Sequence, residues 1–437
     1  MTRVQYKRAT SESCKLRAGR VETKDGPRNV VALAALIQVV THTASSDAQP
    51  TIYVATIMRA TGETGVQTHF NSFLDYIERD GGHGICVTPF MAPSILVYPI
   101  FAFRRLIDLI SSTLSVQWYR YWHGRLLQHV LARHLRREAR PVVIYAQCPV
   151  SAHAALRARR SARQSIVMVV HFNVSQADEW AGKGKLGPES RAFRRIRQFE
   201  RLVLSQLDGI VYVSEFSRRV LETRIPALAT RRSTMLPNFV TLPKIDSFGS
   251  SIGRADLVNI GTLESRKNQA YLLEILAMAA AMGHRYELTV IGQGPDRVSL
   301  EQYAEELGVR HQVHFLGFRR DAARLILGHR LYCHVATMEN FGFTLLEAMS
   351  YGVPVASADV GGTTEVFDDG VEGFTWPLDA AHTAASILVQ HLEDGDRLAA
   401  MGSAARQRVA DCFTTDVVAS RLLRFLLGRD LGRSDVV

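Results

Sequence analysis

The sequence predicts an α/β protein built from two consecutive doubly wound domains that face each other across a cleft. Three observations predict it. At 437 residues the chain exceeds the size at which a single core keeps growing. From Thr51 to Leu236, short apolar runs alternate with segments of helical period. After a stretch at 241–253 that supplies Pro, Ser and Gly without periodicity, the same alternation restarts at Asp256. Strand–helix–strand alternation makes parallel sheets, whose ligands lie outside the carboxyl ends of the strands.

Composition fits a soluble globular enzyme, with 47% apolar and 22% charged residues. The five cysteines, Cys14, Cys86, Cys148, Cys333 and Cys412, form no CxxC pair. That argues for free thiols in a reducing compartment and against a disulfide frame or a zinc site. Charge is unevenly spread: residues 1–250 hold 35 Lys/Arg against 18 Asp/Glu, and residues 251–437 hold 17 against 24. The basic first half either meets something anionic or carries solvated arginine-bearing helices. No apolar run reaches the roughly 20 residues of a membrane span. Val30–Val40 resembles a secretory h-region, yet almost thirty polar residues precede it, so residues 1–49 read as a poorly ordered extension. The expected location is the cytoplasm.

In chain order, Thr51–Ile57 is a buried-strand pattern leading into a loop that contains Gly62 and Gly65. A helix is expected from about Thr68 to Arg79, with Phe70, Phe73, Leu74 and Ile77 on one face. The loop lacks the GxGxxG spacing of a dinucleotide binder. Gly65 can either let a phosphate approach the backbone or serve as a tight turn. Gly84–Thr88 reads as the second strand. Residues 90–137 interleave Tyr98, Phe101, Phe103, Trp118, Tyr119, Tyr121 and Trp122 with Arg104, Arg105, Arg120 and Arg125. Two readings fit them: a face against an anionic membrane or a lipid tail, or core helices with an arginine-bearing outer side. Strands follow at Pro141–Gln147 and Ser165–Val170, the latter ending in His171, which is either a core histidine or a site residue. Residues 183–202 read as one basic helix, Gly209–Val213 as a strand, and Ser214 as the cap of the next helix.

In the second half, the strand Asp256–Ile260 precedes a loop carrying Gly261, Thr262, Arg266 and Lys267. Tyr286–Ile291 is closed by Gly292-Gln293-Gly294-Pro295, and Val313–Gly317 is a short strand before a helix at 322–327. The strand Arg330–Thr337 then meets Met338-Glu339-Asn340-Phe341-Gly342, which turns into a helix beginning at Phe343-Thr344-Leu345. Gly352-Val353-Pro354-Val355 returns the chain to the sheet, and Gly361-Gly362-Thr363-Thr364-Glu365 is expected to open another helix. Glu339 and Glu347 lie eight positions apart with the helix start between them, so they are not an i,i+4 surface pair. Separately, each acid reads as a cap or a solvated helix residue. Together they bracket a helix N-terminus, which suits a ligand with hydroxyls at both ends and an anion in the middle. A nucleoside diphosphate sugar has that shape, with Lys267 and Arg266 as the candidate cations.

These motifs carry a resemblance. Residues from about Asp256 to Pro377 resemble the donor domain of the family-4 retaining glycosyltransferases of the GT-B fold. The acid-x7-acid signature is Glu339 to Glu347, accompanied by Gly352-Val353-Pro354-Val355, Gly361-Gly362-Thr363-Thr364-Glu365 and Gly292-Gln293-Gly294-Pro295. The first half resembles the acceptor domain more loosely, through Gly65, His171, Val213–Phe216 and Pro237-Asn238. The resemblance implies an acceptor-side domain over 50–245, a donor domain over 246–412, and a closing helix over 413–437 that crosses back to the first. It implies that Glu339 binds the donor sugar, Glu347 the ribose, and Lys267 the diphosphate together with the backbone near Gly65. His171 would stand at the reacting carbon. Gly292, Phe341, Gly342, Phe343, Thr344 and Leu345 would complete the donor cradle. The family usually places Arg directly after the glycine at 261, and this chain has Thr262.

The implied partners are a nucleotide-sugar donor and a glycan or polyprenyl-diphosphate-linked acceptor, in a bacterial exopolysaccharide or glycolipid pathway at the inner face of the membrane. No cofactor or metal is expected, because Asp394-Gly395-Asp396 lies in a polar turn far from the motif. No nucleic-acid-binding signature is present. A nucleotide-sugar 2-epimerase or a non-catalytic binding partner of an active transferase would share the fold.

Overall fold

The computed structural model describes residues 50–62, 64–244 and 255–429. The extension 1–49, residues 245–254 at the domain boundary and the last residues lie outside that range.

The first six strands are β1 (Thr51–Ala55), β2 (Gly84–Val87), β3 (Val142–Ala146), β4 (Gln164–Val170), β5 (Gly209–Tyr212) and β6 (Ser233–Met235). Their helices are α1 (Gly65–Arg79), α2 (Ser94–Ile110), α3 (Ser112–Arg137), α4 (Pro149–Ala158), α5 (Gln176–Gly182), α6 (Arg191–Leu204) and α7 (Glu215–Arg224). The second set is β7 (Ala255–Ile260), β8 (Leu288–Ile291), β9 (Val313–Gly317), β10 (His329–His334), β11 (Val355–Ser357) and β12 (Gly373–Thr375). With it come α8 (Gln269–Ala281), α9 (Arg297–Glu306), α10 (Ala322–Leu325), α11 (Phe343–Ser350), α12 (Ala381–Glu393), α13 (Gly395–Cys412) and α14 (Thr415–Leu426).

Two six-stranded sheets result, ordered β2-β1-β3-β4-β5-β6 and β12-β11-β10-β7-β8-β9, and every pairing within them is parallel. All five residues of β1 and of β3 are buried, as expected for central parallel strands covered on both faces. Strand order reverses between β1 and β3 in the first sheet and between β7 and β10 in the second. Such reversals open crevices at the carboxyl ends of the strands. The loops entering the second crevice follow β7 and β10, and they carry Lys267 and Glu339.

Three local expectations are corrected. Helix α1 begins at Gly65 rather than near Thr68, because Thr64 and Gln67 form a reciprocal capping box. The basic segment 183–202 is not one helix: α5 ends at Gly182 and α6 starts at Arg191, with Gly184 and Glu189 at positive φ between them. Residues Gly361–Glu365 open no α-helix, only a 3₁₀ turn at Thr363–Glu365. Residues 90–137 become the antiparallel hairpin of α2 and α3, whose outer faces differ.

Helix α14 packs on α1, where Arg79 meets Asp416 at 2.9 Å. The Arg232 guanidinium lies 4.0 Å from the Phe425 ring centroid. One continuous apolar core takes in Phe70 and Phe73 of α1, Leu345 and Leu346 of α11, and Leu422 and Phe425 of α14. Among the described residues no helix is long and apolar enough to cross a membrane.

Candidate active site

Glu339 stands in the loop after β10, and Gly342 at φ 76° and ψ 68° starts α11. A Cβ on Gly342 would come within 2.7 Å of Leu345 Cδ1, so a left-handed, side-chain-free residue suits this entry. With glycine at the N-cap, no side chain satisfies the first N–H groups of α11; the Leu345 N–H turns back to the Gly342 carbonyl, which leaves those of Phe343 and Thr344 for an anion. Gly361, at φ 63°, brings its loop so close that a Cβ would sit 1.8 Å from the Glu339 carbonyl oxygen. Gly292 makes the same approach to the Gly261 carbonyl oxygen.

Lys267 Nζ donates to Glu339 Oε2 at 2.6 Å, bridging the two loops of the second crevice. His334 Nε2 lies 3.6 Å from the same oxygen. Burial alone would raise the Glu339 pKa, but the Lys267 ammonium and the His334 ring outweigh it and hold the carboxyl well below the usual range. Burial lowers His334 in turn, against the pull of Glu339. Glu347 sits a turn into α11, and burial pushes its carboxyl up to about 7. The two acids of the motif therefore differ: one is firmly ionised and the other is poised near neutrality.

His171 follows β4, its Nε2 3.2 Å from Gln147 Oε1, with the His69 ring edge-on at 4.8 Å between centroids. Burial lowers its pKa to about 3, so the ring is neutral. Gly65 opens α1 with its Cβ direction 3.3 Å from Phe343 Cβ, so the glycine loop of the first sheet meets the start of α11. Arg266 pairs with Glu264 at 2.5 Å and does not reach the Glu339 pair. Phe341 turns its ring into the core against Phe413, and Leu345 is fully buried with its N–H donated to the Gly342 carbonyl at 3.0 Å, so Leu345 offers a ligand neither side chain nor N–H. Thr344 and Phe343 remain partly open. Asp394 caps α13 by accepting from the Arg397 N–H, which accounts for the Asp394-Gly395-Asp396 turn.

Sequence reasoning quoted Asn340 and Glu365 but missed what they do. Asn340 is 4% exposed; its Nδ2 donates to the carbonyls of Val170 at 3.0 Å and Phe172 at 3.3 Å, on either side of His171. Its Oδ1 accepts from Ser214 Oγ at 2.9 Å. Glu365 accepts from the N–H groups of Glu215 at 2.7 Å and Phe216 at 2.8 Å, the first turn of α7. One residue beside Glu339 thus grips the loop of His171. The place of Asn340 beside Glu339, and of Glu365 at the end of the Gly361-Gly362 stretch, was the only signal. Glu179 on α5 also went unnoticed; burial raises its pKa to about 7 against the charges of Lys183 and Arg266.

The acid pair predicts its own pH signature. A folded-state pKa raised from 4.5 to about 7 means that the unfolded chain releases the Glu347 proton first. The Glu347 contribution to stability therefore falls as pH rises from 4.5 to 7 and is flat above. Glu347→Gln removes that slope and stabilises the ligand-free protein at pH 8 by on the order of 2 kcal/mol, while leaving it unchanged near pH 4.5. Thermal unfolding at the two pH values checks this, and an unchanged slope in the variant refutes it.

A crevice at a topological switch point, lined by an ion pair and an uncapped helix start, and two parallel-sheet domains clamped together define a GT-B-type architecture. Comparison with known proteins agrees. The profile for "Glycosyl transferases group 1" matches residues 244–408, and that for "Glycosyltransferase Family 4" matches residues 64–243. The chain belongs to the family-4 glycosyltransferases. An N-acetyl-alpha-D-glucosaminyl L-malate synthase of Bacillus anthracis is 31% identical over 135 residues, covering 31% of this chain and 35% of that protein. A phosphatidyl-myo-inositol mannosyltransferase of Mycolicibacterium smegmatis is 29% identical over 222 residues, covering 49% and 56%. The matches thus span from about a third to a little over half the length of these curated relatives. The Anabaena protein Alr3699/HepE, solved in complex with UDP-glucose, superposes with a TM-score of 0.62 at 18% identity, covering 86% of this chain and 99% of that one.

Proposed function

We propose that the protein is a retaining glycosyltransferase that moves a sugar from a nucleoside-diphosphate sugar to a glycan or a polyprenyl-diphosphate-linked acceptor. The work belongs to bacterial cell-surface polysaccharide synthesis, on the cytoplasmic side of the membrane. The observation that carries the reading is the Lys267–Glu339 pair beside the uncapped start of α11, with Glu347 one turn further on. In this reading Glu339 accepts from the donor-sugar hydroxyls and Glu347 from the ribose. Lys267 and the N–H groups of Phe343 and Thr344 hold the diphosphate, where Gly65 lets the first domain's backbone approach. The neutral His171 contacts the sugar at the reacting carbon.

Transfer breaks the bond between the anomeric carbon and the diphosphate oxygen, and forms one from that carbon to the acceptor oxygen on the same face. The acceptor proton passes to the departing phosphate. The developing negative charge is met by Lys267 and the helix start, which is electrostatic work that needs no metal.

The test is a thermal-shift screen of nucleotide sugars, followed by incubation of the stabilising ones with lipid-linked and glycan acceptors. The expected result is a product whose anomeric configuration, read by NMR, matches the donor. An inverted anomer sinks the retaining mechanism, and an isomerised free donor with no transfer sinks the transferase reading.

A further inference from the structure

The α2–α3 hairpin presents a face that the transfer site does not use. Helix α2 buries Val97, yet its outer side exposes Ile95 (81%), Tyr98 (73%), Leu106 (56%), Leu109 (85%) and Ile110 (82%). At 100° per residue these positions fall on one continuous arc, whereas Val97 and Arg104 point the other way. Soluble surfaces scatter such residues singly, so an unbroken arc calls for a partner. Seventeen residues of helix measure about 25 Å along the axis, with Pro99 inside, which suits lying in an interface better than crossing it.

A second observation identifies the partner's charge. On α3, Arg125, His129, Arg133 and Arg137 recur every fourth residue along an exposed line beside α2. At the α2 start, a pocket of about 250 Å³ is lined by Met91, Pro93, His129, Arg133, His134 and Arg137, with Ala92 and Val130. No carboxylate lines it, and neither Arg133 nor Arg137 has an ion pair among the described residues. An apolar arc with a bare basic pocket at its end complements a bilayer whose headgroups carry phosphate.

We infer that the chain docks on an anionic lipid bilayer through this hairpin: α2 lies among the acyl-chain ends of the headgroups, and Arg133 and Arg137 hold a lipid phosphate. Docking needs no donor or acceptor, so its test is independent of the transferase reading.

The experiment is co-sedimentation of the full chain with vesicles of phosphatidylcholine alone and with phosphatidylglycerol added. Wild type is expected to bind the anionic vesicles, and high salt should weaken that binding. Arg133→Glu with Arg137→Glu lowers affinity for anionic vesicles about 30-fold and abolishes the preference between lipids. Leu109→Glu with Ile110→Glu lowers binding at least about 30-fold. All four side chains are exposed, so circular dichroism and nucleotide-sugar binding should stay at wild-type values. A full chain that stays in the supernatant with both vesicle types overturns the inference, whether residues 1–49 or a second copy covers the face. So does self-association that Leu109→Glu with Ile110→Glu relieves while vesicle binding is unchanged. Equal binding to both lipids overturns the phosphate pocket.

Discussion

Lys267→Met is expected to lower kcat/KM for transfer by about 10²–10³-fold, the cost of removing one preorganised group that meets developing charge. The argument starts from the 2.6 Å contact between Lys267 Nζ and Glu339 Oε2. Without the ammonium, Glu339 keeps its burial and only the His334 ring, so its carboxyl rises toward and beyond the ordinary 4.5. Because Glu339 stays ionised below that value in the native protein, the pair's stabilisation is full above about pH 4.5 and fades as pH falls beneath it. The variant should lose that acid limb in an unfolding series. Pairing it with Glu339→Gln separates structure from chemistry: the double variant recovers thermal stability, since no uncompensated carboxylate remains, and transfer stays low. Wild-type rates in Lys267→Met would remove the cation from the mechanism.

Asn340→Leu should carry the second-largest effect. The substitution nearly preserves volume but leaves the Val170 and Phe172 carbonyls and the Ser214 hydroxyl without their partner. Each buried orphan costs about 1–3 kcal/mol, so a loss of roughly 3 kcal/mol is expected after relaxation. Asn340→Asp should be worse, because its carboxylate would face two carbonyl oxygens in a buried site. The functional signature is specific: kcat falls while donor affinity changes little, because the loop of His171 loosens and the donor's contacts on the second domain persist. An equal fall in donor affinity and kcat would reduce Asn340 to a structural role.

The contrast between these residues shows how much of the site could be read in one dimension. Glu339, Gly342 and Glu347 belong to a strand, a turn and a helix that follow each other directly, so their juxtaposition is local and the spacing discloses it. Lys267 was identifiable as a cation on the corresponding loop of an earlier strand, because doubly wound topology brings such loops together at the switch point. Arg266 is the adjacent case that spacing could not separate: it pairs with Glu264 and leaves Glu339 to its neighbour.

The amino-acid sequence by itself determined the alternation of strands and helices, the restart near Asp256 and the acid–glycine–helix unit, since these rest on period and backbone preference within a few residues. Tertiary structure alone decided what holds the halves together. Asn340 and Ser214 are 126 positions apart and Glu365 and Glu215 150, and hydrogen bonds over such separations leave no periodic trace. It also turned the expected helix after Gly361 into a single turn, because Glu365 is held at the start of α7. For residues 90–137, composition allowed either a core hairpin or a membrane face. Packing split them: Val97 and the inner side of α3 found the core, and the outer arc of α2 found no protein partner among the described residues.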